Sequence, residues 1–345
     1  MKFQESTFGY VNGREVSRFT LVNDNNIKIK ITNYGGIITS IEMPDQQGHV
    51  ENIACGFEKL ENYLGEEYLG SYPYFGALIG RFGNRIANGK LVIEGKEYKM
   101  AINNGPNHLH GGLIGFDRRI WDAEPFDDED KVGVKLSYLS PDGEENYPGN
   151  LRVSCIYTLN NDNELGIEYF ATTDRTTVVN LTNHTYFNLT GGKENILNHE
   201  LKLTATKMTE MVGQIPTGKI VAVEGTPFDF TTSKTFKKDL GALPTGYDDN
   251  FVLGNETGQI RYAGTLSEAG SGRKVEVYTT QPGIQLYTGY WIPEIVVGGK
   301  KIFGRYSGIA LETQHYPDSV NQPGFPSTLL KPGETYNEVT VYKFG

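Results

Sequence analysis

Six histidines stand in this sequence, His49, His108, His110, His184, His199 and His315, and three segments around them carry chemistry. The first runs Asn103-Asn104-Gly105-Pro106-Asn107-His108-Leu109-His110-Gly111-Gly112. Residues two apart on a strand share a face, so His108 and His110 could begin a metal site. No carboxylate follows before Asp117, so hydrogen-bonded loop residues are the plainer reading. Gly111-Gly112 adds that a backbone comes close to something there. The second segment, Asn180 to Leu189, surrounds His184 with Asn, Thr and Tyr. It reads either as a buried histidine satisfied by its neighbours or as a proton donor. The third, Gly308 to Asp318, places Glu312 after the apolar run Ile309-Ala310-Leu311. A strand there carries the carboxylate into or beside the core, where it must be paired or functional. The alternative is a glutamate facing solvent. A carboxylate base and an imidazole acid together can move protons on and off one substrate.

Such groups need elements to hold them. The dominant pattern is alternation of period two, the mark of strands with one buried face. It is clean in Ile27–Ile31, Val132–Tyr138, Leu151–Cys155, Leu165–Tyr169, Lys274–Tyr278 and Val339–Val341. Turn signals lie between: Glu94-Gly95-Lys96, Pro141-Asp142-Gly143 and Lys331-Pro332-Gly333-Glu334. One stretch, Glu58 to Leu69, has helix-like spacing, interrupted by Gly65. No alternation of strand with long helix is seen, which argues against a doubly wound parallel sheet. The expectation is all-β: one large antiparallel β-sandwich, residues 1–345 as a single domain.

Composition narrows the function. The 345 residues include 32 Lys+Arg and 42 Asp+Glu, a formal charge of −10. That balance disfavours nucleic acid and acidic membrane surfaces. No apolar run reaches the roughly 18 residues of a membrane helix. The N-terminal residues lack the apolar stretch of a secretory signal. Two cysteines, Cys55 and Cys155, cannot build a disulfide framework or a four-thiolate zinc site. A cytoplasmic protein is expected.

Eight segments in order carry a family resemblance: Asn33-Tyr34-Gly35-Gly36, Met43-Pro44-Asp45, Gly80 to Ile86, Leu109-His110-Gly111-Gly112, Asn183 to Leu189, Gly246-Tyr247-Asp248, Gln281 to Gly289, and Leu311-Glu312-Thr313-Gln314. On these the chain resembles the aldose 1-epimerases, or galactose mutarotases, over nearly its full length. The resemblance implies a galactose mutarotase-like supersandwich with a sugar cleft across one sheet. It implies Glu312 as general base, His184 as general acid and His110 assisting at the ring oxygen. Asn84, Arg85, Asp248 and Gln285 would bind sugar hydroxyls, with Tyr186 in the same contact segment. The chain departs from the family's usual residues at Asp249 and at Tyr290, which Trp291 follows, and these bear on sugar preference.

The implied reaction interconverts α and β anomers of free aldohexoses such as D-galactose and D-glucose. Opening the ring takes a proton from the C1 hydroxyl while one arrives at the ring oxygen, which pictures base and acid on opposite sides of the hemiacetal. No cofactor and no metal are expected. The partner is a monosaccharide, and the chain a monomer or homodimer. Alternatives are a non-catalytic sugar-binding protein, an epimerase for another aldose or a sugar phosphate, and a glycoside hydrolase pairing Asp248 with Glu312.

Overall fold

The computed structural model describes residues 1–254 and 258–345. The alternating segments are strands within Lys28–Thr32, Lys131–Ser140, Leu151–Asn160, Glu164–Thr173, Lys274–Thr279 and Tyr336–Phe344. In Leu151–Asn160 every second residue from Leu151 to Leu159 is buried, while those between are exposed or half-buried. A face of that kind leaves water only by packing on another.

Nine strands form one sheet, in the spatial order Asp122–Asp127, Lys131–Ser140, Leu151–Asn160, Glu164–Thr173, Tyr336–Phe344, Lys274–Thr279, Arg261–Ser267, Glu200–Leu203 and Lys234–Thr235. Six form another: Tyr186–Phe187, Ile309–Gln314, Gly283–Tyr287, Asp248–Val252, Lys207–Val212 and Ile215–Ala222. The five strands between Lys2 and Asn52 make a third. A bridge between Ala54 and Phe187, with the Cys55 N–H donating to the Tyr186 carbonyl at 2.9 Å, joins the five- and six-stranded sheets into one layer. That layer covers the nine-stranded sheet. A single apolar cluster takes Phe19 and Ile31 from the third sheet, Val134, Tyr157 and Ile167 from the first, and Phe251, Ile284 and Leu311 from the second. This is the sandwich expected from the alternation, built of two layers and three sheets.

Local signals resolve as their chemistry requires. Glu94 and Gly95 both take left-handed backbone, φ 51° and 81°, and close a two-residue hairpin between Lys90–Ile93 and Lys96–Lys99. The helix-like stretch splits at Gly65, extended at φ −72° and ψ 147°, into Leu60–Leu64 and Glu66–Leu69. No helix among the described residues is long and apolar enough to cross a membrane.

One strand matters most. All six residues of Ile309–Gln314 are buried. Leu311 packs into the sandwich core, and its carbonyl accepts from the Tyr342 hydroxyl of the nine-stranded sheet at 2.9 Å. Alternation then turns Ala310, Glu312 and Gln314 to the opposite face. Leu311→Ala should cost about 2–5 kcal/mol of stability by leaving a cavity, read as a lower urea midpoint. A change within error would mean that this strand is not anchored through its core face.

Candidate active site

Antiparallel register sets the site's floor. Asn250 lies opposite Gln285, and Gln285 opposite Glu312, so the three side chains share one face. One rung along, Asp248, Tyr287, Ala310 and Tyr186 line up on that face. His184 is stitched to the chain before it, donating its N–H to the Ala77 carbonyl at 2.8 Å and accepting from the Gly76 N–H at 3.0 Å. His110 follows a two-residue ladder in which His108 pairs with Ile86 and Leu109 with Arg85. Both Asn84 and His110 then adopt left-handed backbone, φ 63° and 51°. They clasp each other: the His110 N–H donates to the Asn84 carbonyl at 3.1 Å, and the Asn84 N–H donates to His110 Nδ1 at 3.1 Å.

Three titratable groups meet as a result. Donor and acceptor atoms of His110, His184 and Glu312 lie within 4.8 Å of one another, and His184 Nε2 is 3.6 Å from Glu312 Oε1. The glutamate is 2% exposed, so it does not face solvent. Burial raises the Glu312 carboxyl well above the usual carboxylate range; the charge of Asp248 adds to the rise and that of Arg85 opposes it. Burial lowers the His184 imidazole to about 3 and holds His110 well below its ordinary value. Both members of the Glu312–His184 pair are thus driven toward neutrality, sharing one proton between them. Neither Glu312 Oε2 nor His184 Nδ1 has a hydrogen-bond partner within the described protein, so His184 is not a core histidine satisfied by its neighbours.

Around them lies a cavity of about 330 Å³, whose wall includes Asn84, Arg85, Tyr186 and Asp248 with the three titratable groups. Polar contacts fix its far side. Arg85 Nε donates to Asn104 Oδ1 at 3.0 Å, Arg85 Nη2 stands 3.7 Å from Asp248 Oδ2, and Gln285 Nε2 donates to Asp248 Oδ1 at 2.7 Å. Gln285 is 1% exposed and sits behind the wall, so it acts on the cavity through Asp248.

The His-x-His pair separates. His108 turns away, its Nδ1 2.8 Å from the Ala101 carbonyl and its Nε2 2.6 Å from the Tyr147 hydroxyl. His110 Nδ1 is an acceptor, so the neutral ring carries its proton on Nε2 and presents a donor where a metal needs a lone pair. Arg81, four residues before Arg85, also leaves the cleft: its guanidinium is buried on Ser140 and the carbonyls of Ser140, Pro141, Pro148 and Gly149. Asp249 faces away from Asp248's side of the strand, and burial with the Asp248 charge lifts it to about 7. Tyr290 stacks with Arg305, guanidinium carbon 4.0 Å from the ring centre, whereas Trp291 stands 61% exposed at the cavity mouth. Motif reading missed Tyr72, Tyr74, Asn104, Gln214 and Tyr287, which also line the cavity. Tyr72, Tyr74, Asn104 and Gln214 come from loops and a hairpin tip, where no periodicity marks a side chain's direction, whereas Tyr287 ends a strand and shares the face of Gln285.

The chain as a whole is similar to known proteins of one family. Residues 17–343 match the family model described as aldose 1-epimerase. The chain is 45% identical to a galactose mutarotase from Bos taurus, over 95% of this chain and 94% of that one. It is 33% identical to an aldose 1-epimerase from Escherichia coli, over 96% of each. Among solved structures, a galactose 1-epimerase from Lactobacillus acidophilus superposes with a TM-score of 0.86 at 28% identity, covering 100% of this chain and 98% of that one. With a matching model over nearly its whole length and relatives of this identity, the chain belongs to the aldose 1-epimerase family.

Proposed function

We propose that the chain is a cofactor-independent aldose 1-epimerase that interconverts the α and β anomers of free aldohexoses, galactose and glucose among them. One observation supports this most: a carboxyl and an imidazole stand 3.6 Å apart at the floor of a cavity that opens to solvent. The C1 hydroxyl oxygen and the ring oxygen are both bonded to C1. An acid and a base serving them must therefore stand side by side, not opposed across the hemiacetal.

Glu312 takes the proton of the C1 hydroxyl as His184 gives one to the ring oxygen; the C1–ring oxygen bond breaks and a free aldehyde forms. Rotation about C1–C2 exposes the other face, and the same two transfers in reverse close the ring. His110 donates its Nε2 proton to charge developing on oxygen. Asn84, Arg85, Asp248 and Tyr186 hold the remainder of the sugar, and Gln285 steadies Asp248. The resting pair is neutral, while the productive pair is carboxylate and imidazolium. These differ only in where the one shared proton sits, so none is drawn from solvent. We read the chain as a single domain, since one apolar cluster joins Phe19 to Phe344. Its two free, buried cysteines fit a reducing cytoplasm, with the protein a monomer or homodimer.

Glu312→Gln should lower kcat by about 10²–10⁴ while sugar affinity remains, followed by polarimetry on fresh α-D-galactose; His184→Asn should do likewise. Near-normal turnover by either folded variant removes that residue from the reaction.

The pH profile carries a sign. Activity requires one proton on the pair. In an ordinary carboxylate–imidazole pair the second proton adds near about 4.3, and the last leaves near about 6.5. With His184 at about 3, the acid limb of kcat/KM moves below that lower value, while the alkaline limb is set by the raised Glu312 carboxyl. An acid limb centred near 6 in the native enzyme would contradict the neutral buried pair.

A dianionic substrate should fare poorly. Arg85 is engaged by Asp248 and Asn104, Arg81 is directed elsewhere, and Asp248 and Glu312 line the cavity. Glucose should therefore exceed glucose 6-phosphate in kcat/KM by coupled dehydrogenase assay; the reverse order would refute a free-sugar site.

A further inference from the structure

Tyr74 is held in left-handed backbone, φ 58°, where an aromatic side chain is rare and strained. Its surroundings enforce this. The Ala77 N–H donates to the Tyr74 carbonyl at 3.1 Å, and the Gly76 N–H to the His184 carbonyl at 3.0 Å. Gly76, at φ 66°, is so close to Ile38 that a Cβ would fall 2.0 Å from that carbonyl oxygen. The chain must reverse between these fixed points, and the reversal turns the Tyr74 ring into the cavity.

There the ring meets both imidazoles. It lies nearly parallel to His184, 13° off with centroids 6.0 Å apart, and edge-on to His110 at 4.7 Å. Tyr186 stacks on His184 at 4.7 Å and 25°, and Tyr72 braces Tyr74 edge-on at 4.5 Å. His184 is therefore boxed by two tyrosine rings, with His110 at its edge, 5.3 Å away. Among titratable and charged groups, Glu312 faces it from the Ile309–Gln314 strand, and Arg85 and Asp248 face it across the cavity.

We infer that Tyr74 is a positioning residue: its ring fixes the two imidazoles relative to Glu312 and keeps water from between them. A half-exposed tyrosine whose only service was packing could be replaced by a residue that suits an unstrained turn. Here the strain places a flat face against the group that must align with a carboxyl 3.6 Å away. The same face withholds water from His184, whose burial keeps it neutral at rest. This rests on the acid–base reading above, and the experiment separates the two.

Tyr74→Phe, which keeps the ring, should stay within about twofold of the native kcat. Tyr74→Asn, which suits left-handed backbone but has no ring, should lose about tenfold to a hundredfold in kcat with a smaller change in KM. Its acid limb of kcat/KM should move to higher pH as water reaches His184. Tyr74→Leu, apolar but not flat, should follow Asn, and it decides the matter if the Asn variant does not fold. A folded Asn or Leu variant with native kcat and native acid limb overturns the inference, as does a Phe variant that falls as far as Asn. Glu312→Gln and His184→Asn run in the same assay: if they keep turnover the acid–base reading fails, whereas if they lose it while Tyr74→Asn does not, only this inference fails.

Discussion

A carboxyl group carried by a strand that is buried along its whole length is the constraint on which this architecture turns. Among the described residues no lysine or arginine forms an ion pair with Glu312; Arg85 is engaged by Asp248, and the group at hand is the His184 imidazole at 3.6 Å. Removing an ionised carboxylate from water costs more than such surroundings return, so the side chain is biased toward its protonated form. The sandwich sustains that cost because Leu311, one residue before, is locked into the core and against Tyr342. Core packing on one face of the strand thus supplies the stability spent on the other.

His110 is organised by different means. Its tautomer is set by a backbone donor, the Asn84 N–H, rather than by a neighbouring acid. A carboxylate in that place would favour the imidazolium. An N–H does the opposite, since it needs a lone pair on Nδ1. In the proposed reaction the two imidazoles have separate duties: one exchanges a proton with a carboxyl, and the other stays a neutral donor. The backbone geometry that achieves this, left-handed at both Asn84 and His110, is tolerated because each residue closes the other's hydrogen bond.

Much of this was legible in the sequence because strands write their burial as alternation. The apolar run Ile309-Ala310-Leu311 left Glu312 either beside the core or facing solvent, and the structure decides for the core at 2% exposure. The split between His108 and His110 was not legible. Period two sends both to one face, and only the positive φ at His110 breaks the rule. Arg81 and Arg85 share one short motif yet part company, because the acceptors that capture Arg81 come from residues 140–149, remote in sequence. Tyr74 was invisible for the same reason, its loop being fixed by the Gly76 N–H donating to the distant His184 carbonyl, and Gln214 because it stands at a hairpin tip.

The division of the cavity into two ends follows from the reaction proposed for it. A sugar that opens, turns about C1–C2 and closes must be held firmly away from C1 and loosely at C1. The Asn104–Arg85–Asp248–Gln285 chain supplies the firm end, since each side chain is fixed by the next through contacts of 2.7 to 3.7 Å. At the other end, Glu312 and His184 each keep an atom with no partner in the described protein, and His110 offers its Nε2 proton. Binding energy collected at the firm end does not tie down the aldehyde, so it lowers the cost of assembly without resisting the rotation. A cleft that gripped C1 tightly would stabilise the closed ring over the transition state and slow the exchange in both directions. Uneven polar satisfaction across the cavity is therefore what the proposed anomer exchange calls for.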